Sequence, residues 1–177
     1  MKDYQTLKRN LKKDLSTMRK CKVALLGDSA TQMLATAIKG EGVERGVCID
    51  LWEAEYNQVE RQVMDRTSLL YTQDFQYTIV FQSTHKGMEQ HALLKEEEKA
   101  KWAEERLSFV RTLCENSKTH IIYYNYPEIE DTVFGSYANK VETSFTYQVR
   151  KLNYQLMQLS QEYKNLFICI SIKFLIT

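Results

Sequence analysis

The sequence predicts an α/β protein: a three-layer α/β/α sandwich around a five-stranded, mainly parallel sheet, preceded by a basic amphipathic helix. Three observations carry this. Apolar runs of strand length recur at Lys22–Leu26, Val47–Trp52, Tyr77–Phe81, His120–Tyr124 and Leu166–Ile170. Stretches of helical periodicity lie between them, and helical crossovers are what parallel strands require. A length of 177 residues is about one domain, large enough to bury a core without disulfides or metals.

In chain order, Tyr4, Leu7, Leu11, Leu15 and Met18 recur at helical spacing among Lys8, Arg9, Lys12, Lys13, Arg19 and Lys20. This predicts an amphipathic helix over residues 1–21, with a single α/β domain following over 22–177. After the first strand, a helix is expected from Ala30 to Lys39 with Met33, Leu34, Ala37 and Ile38 inward, ended by Gly40, Gly42 and Gly46. The second strand leads through Glu53 into a helical stretch on which Tyr56, Val59 and Val63 share a face. Asp65-Arg66-Thr67-Ser68 reads as a helix end and a new cap, followed by a short buried segment of Leu69, Leu70, Tyr71 and Phe75. Past the third strand, one long helix is expected from Met88 to Asn116, its charged block Lys95–Lys101 solvated and supported by Glu–Lys pairs. The fourth strand opens into a loop holding Pro127. A last long helix, Tyr137 to Tyr163, turns Val141, Phe145, Val149, Leu152, Leu156 and Leu159 inward. The fifth strand and a further strand-like run, Ser171–Thr177, close the sequence.

Right-handed crossovers and a central first strand give the order 2-1-3-4-5, with its switch point between strands one and three. Ligands of open α/β sheets bind at the carboxyl ends of strands beside such a point. Gly27-Asp28-Ser29 and Gln82-Ser83-Thr84-His85 end those two strands, with Tyr124-Asn125-Tyr126 beside them and Glu53 on the other flank. The strand–turn–helix unit at Gly27 would present the Ser29 hydroxyl and the free N–H groups of a helix start. Asp28 and Ser29 are equally good helix caps, which is the structural alternative.

Several functions are excluded or disfavoured. There is no Gly-rich dinucleotide fingerprint and no P-loop lysine. Where a receiver domain would end its third strand in a carboxylate, this chain has Phe81 and Gln82. His85 and His91 are not spaced for a shared metal, and His91 and His120 read as surface or edge residues, so neither metal nor cofactor is expected. A net charge of +1 supplies no global field for nucleic acid, and no stretch is long and apolar enough for a membrane span. Cys21, Cys48, Cys114 and Cys169 are dispersed, as free thiols in a reducing compartment are, and without a signal peptide the expected location is the cytoplasm.

Gly27-Asp28-Ser29, after a buried strand and opening a helix, resembles the first block of the SGNH (GDSL-type) ester hydrolases. The resemblance implies Ser29 as nucleophile and its own N–H as one oxyanion donor. That family adds a Gly and an Asn from the next two blocks and an Asp-x-x-His base near the C-terminus. Here Glu53–Asn57 contain no Gly, Ser83-Thr84-His85-Lys86-Gly87 replaces Gly-x-Asn-Asp, and no Asp-x-x-His follows strand five. His85 is the substitute base this chain offers. Asn125 is the substitute oxyanion donor, with Asp28, Thr31, Ser83 and Thr84 as further binding candidates.

A closer resemblance spans nearly the whole chain. Leu25-Leu26-Gly27-Asp28-Ser29-Ala30-Thr31-Gln32, Trp52-Glu53-Ala54-Glu55-Tyr56-Asn57-Gln58 and Ser68-Leu69-Leu70-Tyr71 look like the N-terminal SGNH-like domain of FkbH-like proteins. In that family the domain precedes a haloacid-dehalogenase-type (HAD, subfamily IIIC) domain that handles phosphoglycerate-derived groups and passes a glyceryl unit to an acyl carrier protein. This chain has no Asp-x-Asp-x-Thr/Val motif, so the resemblance implies that the phosphate chemistry lies outside it, in a HAD-type domain, and that the chain is a truncated fragment or a stand-alone relative. Two functional expectations follow. The favoured one is an accessory or binding domain for an acyl or phosphorylated group, with an acyl carrier protein as candidate partner of the basic N-terminal helix. The alternative is an SGNH-type ester hydrolase or acyl transferase with Ser29 as nucleophile.

Overall fold

β1 (Arg19–Gly27) is the axis of the fold because its second half is apolar on both faces. Val23, Ala24, Leu25 and Leu26 are at most 3% exposed, as in a central strand of a parallel sheet. The computed structural model describes residues 2–129 and 133–170. β2 (Val47–Glu53), β3 (Tyr77–Phe81), β4 (His120–Tyr124) and β5 (Leu166–Cys169) join β1 in one five-stranded sheet flanked by helices. Its strands are parallel and ordered β2-β1-β3-β4-β5, the order read from the sequence. The Ser171–Thr177 run lies outside the described residues. The chain divides into two compact units, Met1–Phe81 with Lys118–His120, and Gln82–Ser117 with Ile121–Thr177.

In the first unit, the N-terminal helix is shorter than its apolar period suggests. α1 covers only Tyr4–Asn10, capped by Asp3, whose carboxylate accepts from Thr6 N–H at 2.8 Å. It ends where Asn10 turns its amide to Gly40 O and Glu44 Oε1, and the Asp14 carboxylate then caps a turn at Ser16 N–H. Residues from Arg19 onward are taken by the ladder with β2, beginning Arg19 opposite Val47. Hydrogen bonds to a neighbouring strand outweigh the helical period there, and Leu15 and Met18 fall in the turn before it, where Met18 N–H donates to Leu15 O at 3.1 Å.

α2 (Gln32–Glu44) runs through Gly40 and Gly42 instead of ending at them. A methyl group at Gly40 would sit 2.4 Å from Leu7 O, and one at Gly42 2.7 Å from Ile49 Cδ1. These glycines are close-approach positions, one under α1 and one over β2; the chain turns only at Gly46, where φ is +74°. The buried side of α2 is accordingly Ala35, Gly40 and Val43, while Met33 is 65% exposed. α3 (Val59–Met64) buries Val59 and Val63, but Tyr56 lies before it and faces solvent. Asp65 caps the turn to Thr67, and α4 (Leu69–Thr72) buries Leu70 and exposes Leu69. Phase and residue types place these elements, whereas at Gly40 and Gly42 the sequence shows a missing side chain but not what fills its place.

In the second unit, the single helix expected over 88–116 is three: α5 (Thr84–Ala92), α6 (Glu96–Lys99) and α7 (Trp102–Asn116). α5 frays at Leu93, which is 88% exposed. α6 restarts where Lys95 N–H donates to Glu98 Oε2 at 3.0 Å. Gln148, fully buried, holds the second break open. Its Oε1 accepts from Ala103 N–H at 3.0 Å, and its Nε2 donates to Ala100 O at 3.1 Å and Glu142 O at 2.7 Å. One side chain thus satisfies main-chain groups that a helix break orphans. The helix expected over 137–163 begins instead with a 3-10 helix, Gly135–Lys140, before α8 (Phe145–Glu162). Ser144 separates them: its hydroxyl donates to Ala138 O at 2.7 Å and accepts from Tyr147 N–H at 3.2 Å. Phe145, Val149, Leu152, Leu156 and Leu159 are buried as the period predicted, and Val141 is half-buried.

Candidate functional site

The turn after β1 is shaped by a side chain that passes over Gly27. A methyl group there would lie 2.3 Å from Thr31 Cγ2, so only glycine fits. Thr31 is 5% exposed, and its hydroxyl donates to Glu53 Oε2 at 2.9 Å. Ala54 N–H reaches back to Leu25 O at 2.9 Å, and Asp28 N–H points to Phe81 O at 3.4 Å. The turn is thereby tied to the carboxyl ends of both strands beside β1.

Ser29 stands in this turn, half-buried, and its hydroxyl makes no hydrogen bond to any described residue. It is not the cap of α2. That position is Thr31, whose hydroxyl is spent on Glu53 and does not cap the helix. A serine nucleophile needs a base within about 3 Å of its oxygen. No described side chain hydrogen-bonds to this one.

The remaining sequence candidates belong to the second unit. Ser83 is the N-cap of α5, its carbonyl accepting from Gly87 N–H at 3.0 Å. Thr84 is 3% exposed, with a buried hydroxyl that has no partner among the described residues. His85 is exposed and makes no hydrogen bond to a described residue. Asn125 follows β4 half-buried, its N–H donating to Cys169 O at 3.0 Å. Beside it the Tyr124 phenol is held above its ordinary pKa by burial and, next, by the neighbouring Cys169.

His91 is not at the surface. It is 5% exposed, its ring 5.4 Å from Phe145 and 6.2 Å from Trp102. Gly87 explains this: a methyl there would already be 3.2 Å from Trp102 Cζ2. The indole therefore packs down onto α5, and His91, one turn later on that face, is covered with it. His120 does lie exposed at the start of β4, tilted against Tyr77 at 5.4 Å. Among the described residues no three His, Cys, Asp or Glu side chains are grouped to hold a metal, and no helix is long and apolar enough to cross a membrane.

Gln82 and Tyr126, both read from the sequence as part of the crevice, join Tyr123 and Trp102, which that reading does not single out, in one cluster at the start of the second unit. Gln82 Oε1 accepts from Tyr123 Oη at 2.7 Å and Tyr126 Oη at 3.1 Å, and the two phenol oxygens are 3.2 Å apart. Gln82, Tyr123 and Tyr126 are 7%, 1% and 2% exposed. The Tyr126 ring meets Trp102 edge-on at 5.8 Å, and Trp102 meets Phe145 at 5.2 Å. The available signal was a glutamine directly after an apolar strand, together with tyrosines either side of the strand-end Tyr124-Asn125.

A family model described as FkbH, N-terminal domain, matches residues 22–176. A crystal structure described as the N-terminal part of the protein BF1531 from Bacteroides fragilis, containing a phosphatase domain complexed with Mg, is similar over 96% of this chain. The two share 59% sequence identity and a TM-score of 0.94, and this chain covers 45% of that one. It therefore spans less than half the length of that relative. No curated protein matches the chain.

Proposed function

The chain belongs to the FkbH N-terminal domain family, and on that premise we propose that it is an accessory binding domain, not a hydrolase. It receives an acyl or phosphorylated group delivered by an acyl carrier protein, while the phosphate chemistry resides in a HAD-type domain outside this chain; the Bacteroides relative is described as containing a phosphatase domain. The observation that carries this reading is the Ser29 hydroxyl. It stands half-buried in a turn fixed by Gly27, Thr31 and Glu53, yet no described residue hydrogen-bonds to it. A serine without a base is a ligand contact. Loss of the base and of oxyanion donors costs several orders of magnitude in rate.

Lys8, Arg9, Lys12 and Lys13 are all exposed on and after α1, and they supply the basic surface on which an acidic carrier protein would dock. The four cysteines are free thiols, which suits a cytoplasmic setting. The test has two arms. A fluorophosphonate probe should leave the folded protein unlabelled; labelling abolished by Ser29→Ala would instead establish an SGNH-type ester hydrolase or acyl transferase, with His85 the base to examine. Carrier binding, followed by titration calorimetry, should weaken with salt and on neutralising the four basic residues. Salt-independent binding would count against docking there.

A further inference from the structure

The second unit buries hydrogen-bonding groups that its own residues leave unused, and we propose that these groups form a pocket for the carbonyl oxygen of an uncharged acyl group. The inference rests on the accessory-domain reading and names the chemistry that such a domain would hold. Thr84 Oγ1 and Trp102 Nε1 are both buried without a partner among the described residues. Native interiors rarely leave such groups unpaired. An indole N–H can only donate, so what is missing is an acceptor.

Gln82 supplies the third donor. Both hydrogen bonds of its side chain arrive at Oε1, from Tyr123 and Tyr126, and neither uses the Nε2 amide. The two buried phenols therefore fix the amide plane and leave its N–H groups to point elsewhere.

The residues that carry the three groups are linked by contacts already described. Burial alternates along Gln82, Ser83 and Thr84, so the first and third share a side of the chain. Thr84 lies one turn before Gly87, the residue onto which the Trp102 indole packs. Trp102 in turn meets Tyr126, whose phenol bonds Gln82. The ring of contacts closes on itself, with Phe145 as a further wall.

The character of the site selects the ligand. Among the described residues, no lysine, arginine, aspartate or glutamate is buried. The cationic groups near the indole are the Arg106 guanidinium, 5.9 Å over the ring, and the buried His91 imidazole, 6.2 Å away; with no buried lysine or arginine beside the donors, a phosphate dianion would enter at a large desolvation cost. A thioester, ester or amide carbonyl carries no net charge and accepts from two or three neutral donors.

The test is a titration of the full chain with N-acetyl-S-acetylcysteamine, an uncharged thioester, followed by the indole N–H resonance of Trp102. With two tryptophans in the chain, Trp52→Phe assigns it. The thioester should shift that resonance to saturation, whereas inorganic phosphate and acetate at equal concentration should not. Gln82→Glu keeps an acceptor for both tyrosines and removes the donor; it should weaken binding by roughly tenfold. Thr84→Val keeps the shape and should weaken it by about threefold. An unmoved resonance, an equal response to phosphate, or undiminished binding in both variants overturns the proposal. So does a crystal structure of the thioester-soaked protein that shows only an ordered water at Trp102 Nε1. Carrier binding measured on the same variants separates the two levels. If salt-sensitive carrier binding persists while the pocket fails, the accessory-domain reading stands without it; if the thioester binds and the carrier does not, that reading fails.

Discussion

Gly40→Ala sets helix propensity against packing, and the two have opposite signs. In the interior of α2, alanine is favoured over glycine by about 1 kcal/mol. The new methyl, however, would sit 2.4 Å from Leu7 O, 2.7 Å from Leu7 C and 2.8 Å from Leu7 Cβ. Two of these atoms are main chain, so no rotamer change relieves the overlap, and α1 must lift by about 1 Å to restore van der Waals contact. Lifting uncovers Leu7, now 7% exposed, whose full burial contributes about 2 kcal/mol. It also loosens the Asn10 amide from Gly40 O at 3.3 Å and Glu44 Oε1 at 2.5 Å, about 1 kcal/mol each. Partial loss of these terms less the propensity gain leaves a net destabilisation of about 2 kcal/mol. Urea unfolding at unchanged m-value reads this as a lower midpoint. In a chain lacking residues 1–11 the clash is absent, and the same substitution should stabilise by about 1 kcal/mol. Stabilisation in the intact chain would refute the docking of α1 against α2.

Two further outcomes follow from the second unit. Gln148→Leu should destabilise by about 3 kcal/mol, because three main-chain groups lose their partner, two where α6 gives way to α7 and one, Glu142 O, just before α8; amide exchange at Ala103 should accelerate, and a loss under 1 kcal/mol would show that the break is held otherwise. The Cys114 thiol is pushed up to about 12 by burial, so a disulfide reagent at pH 8 should leave it unmodified in the folded protein and react with it once urea is added. Its folded pKa lies above the unfolded value near 9.0, so above pH 9 the unfolded chain holds fewer protons. This contribution to stability therefore declines between about pH 9 and 12, and Cys114→Ala should flatten that decline in a series of urea melts.

The sheet was legible because its information is local. Val23–Leu26, Tyr77–Phe81 and His120–Tyr124 are short apolar runs whose type and order follow from spacing and crossover handedness. Helix limits were less legible where a distant residue sets them. Gln148 breaks a helix more than forty positions earlier in the chain, and Gly40 and Gly42 are explained by Leu7 and Ile49. The candidate site divides in the same way. The turn at Gly27-Asp28-Ser29 stands out in sequence because its residue types are unusual after a strand. Gln82 and Tyr126 are legible as strand-end residues, but Trp102 is not, since an indole on a helix looks ordinary until its partners are known.

The Gly27 turn has a consequence for protein engineering. Its path is dictated by the Thr31 methyl over Gly27 and by the Thr31 to Glu53 hydrogen bond, and the side chain at position 29 takes no part in either. Residue 29 is therefore a mounting point whose position does not depend on what is mounted. A cysteine, an aspartate or an unnatural nucleophile can be grafted there without redesigning the backbone. What remains for the designer is to bring a base to a hydroxyl that the scaffold already delivers.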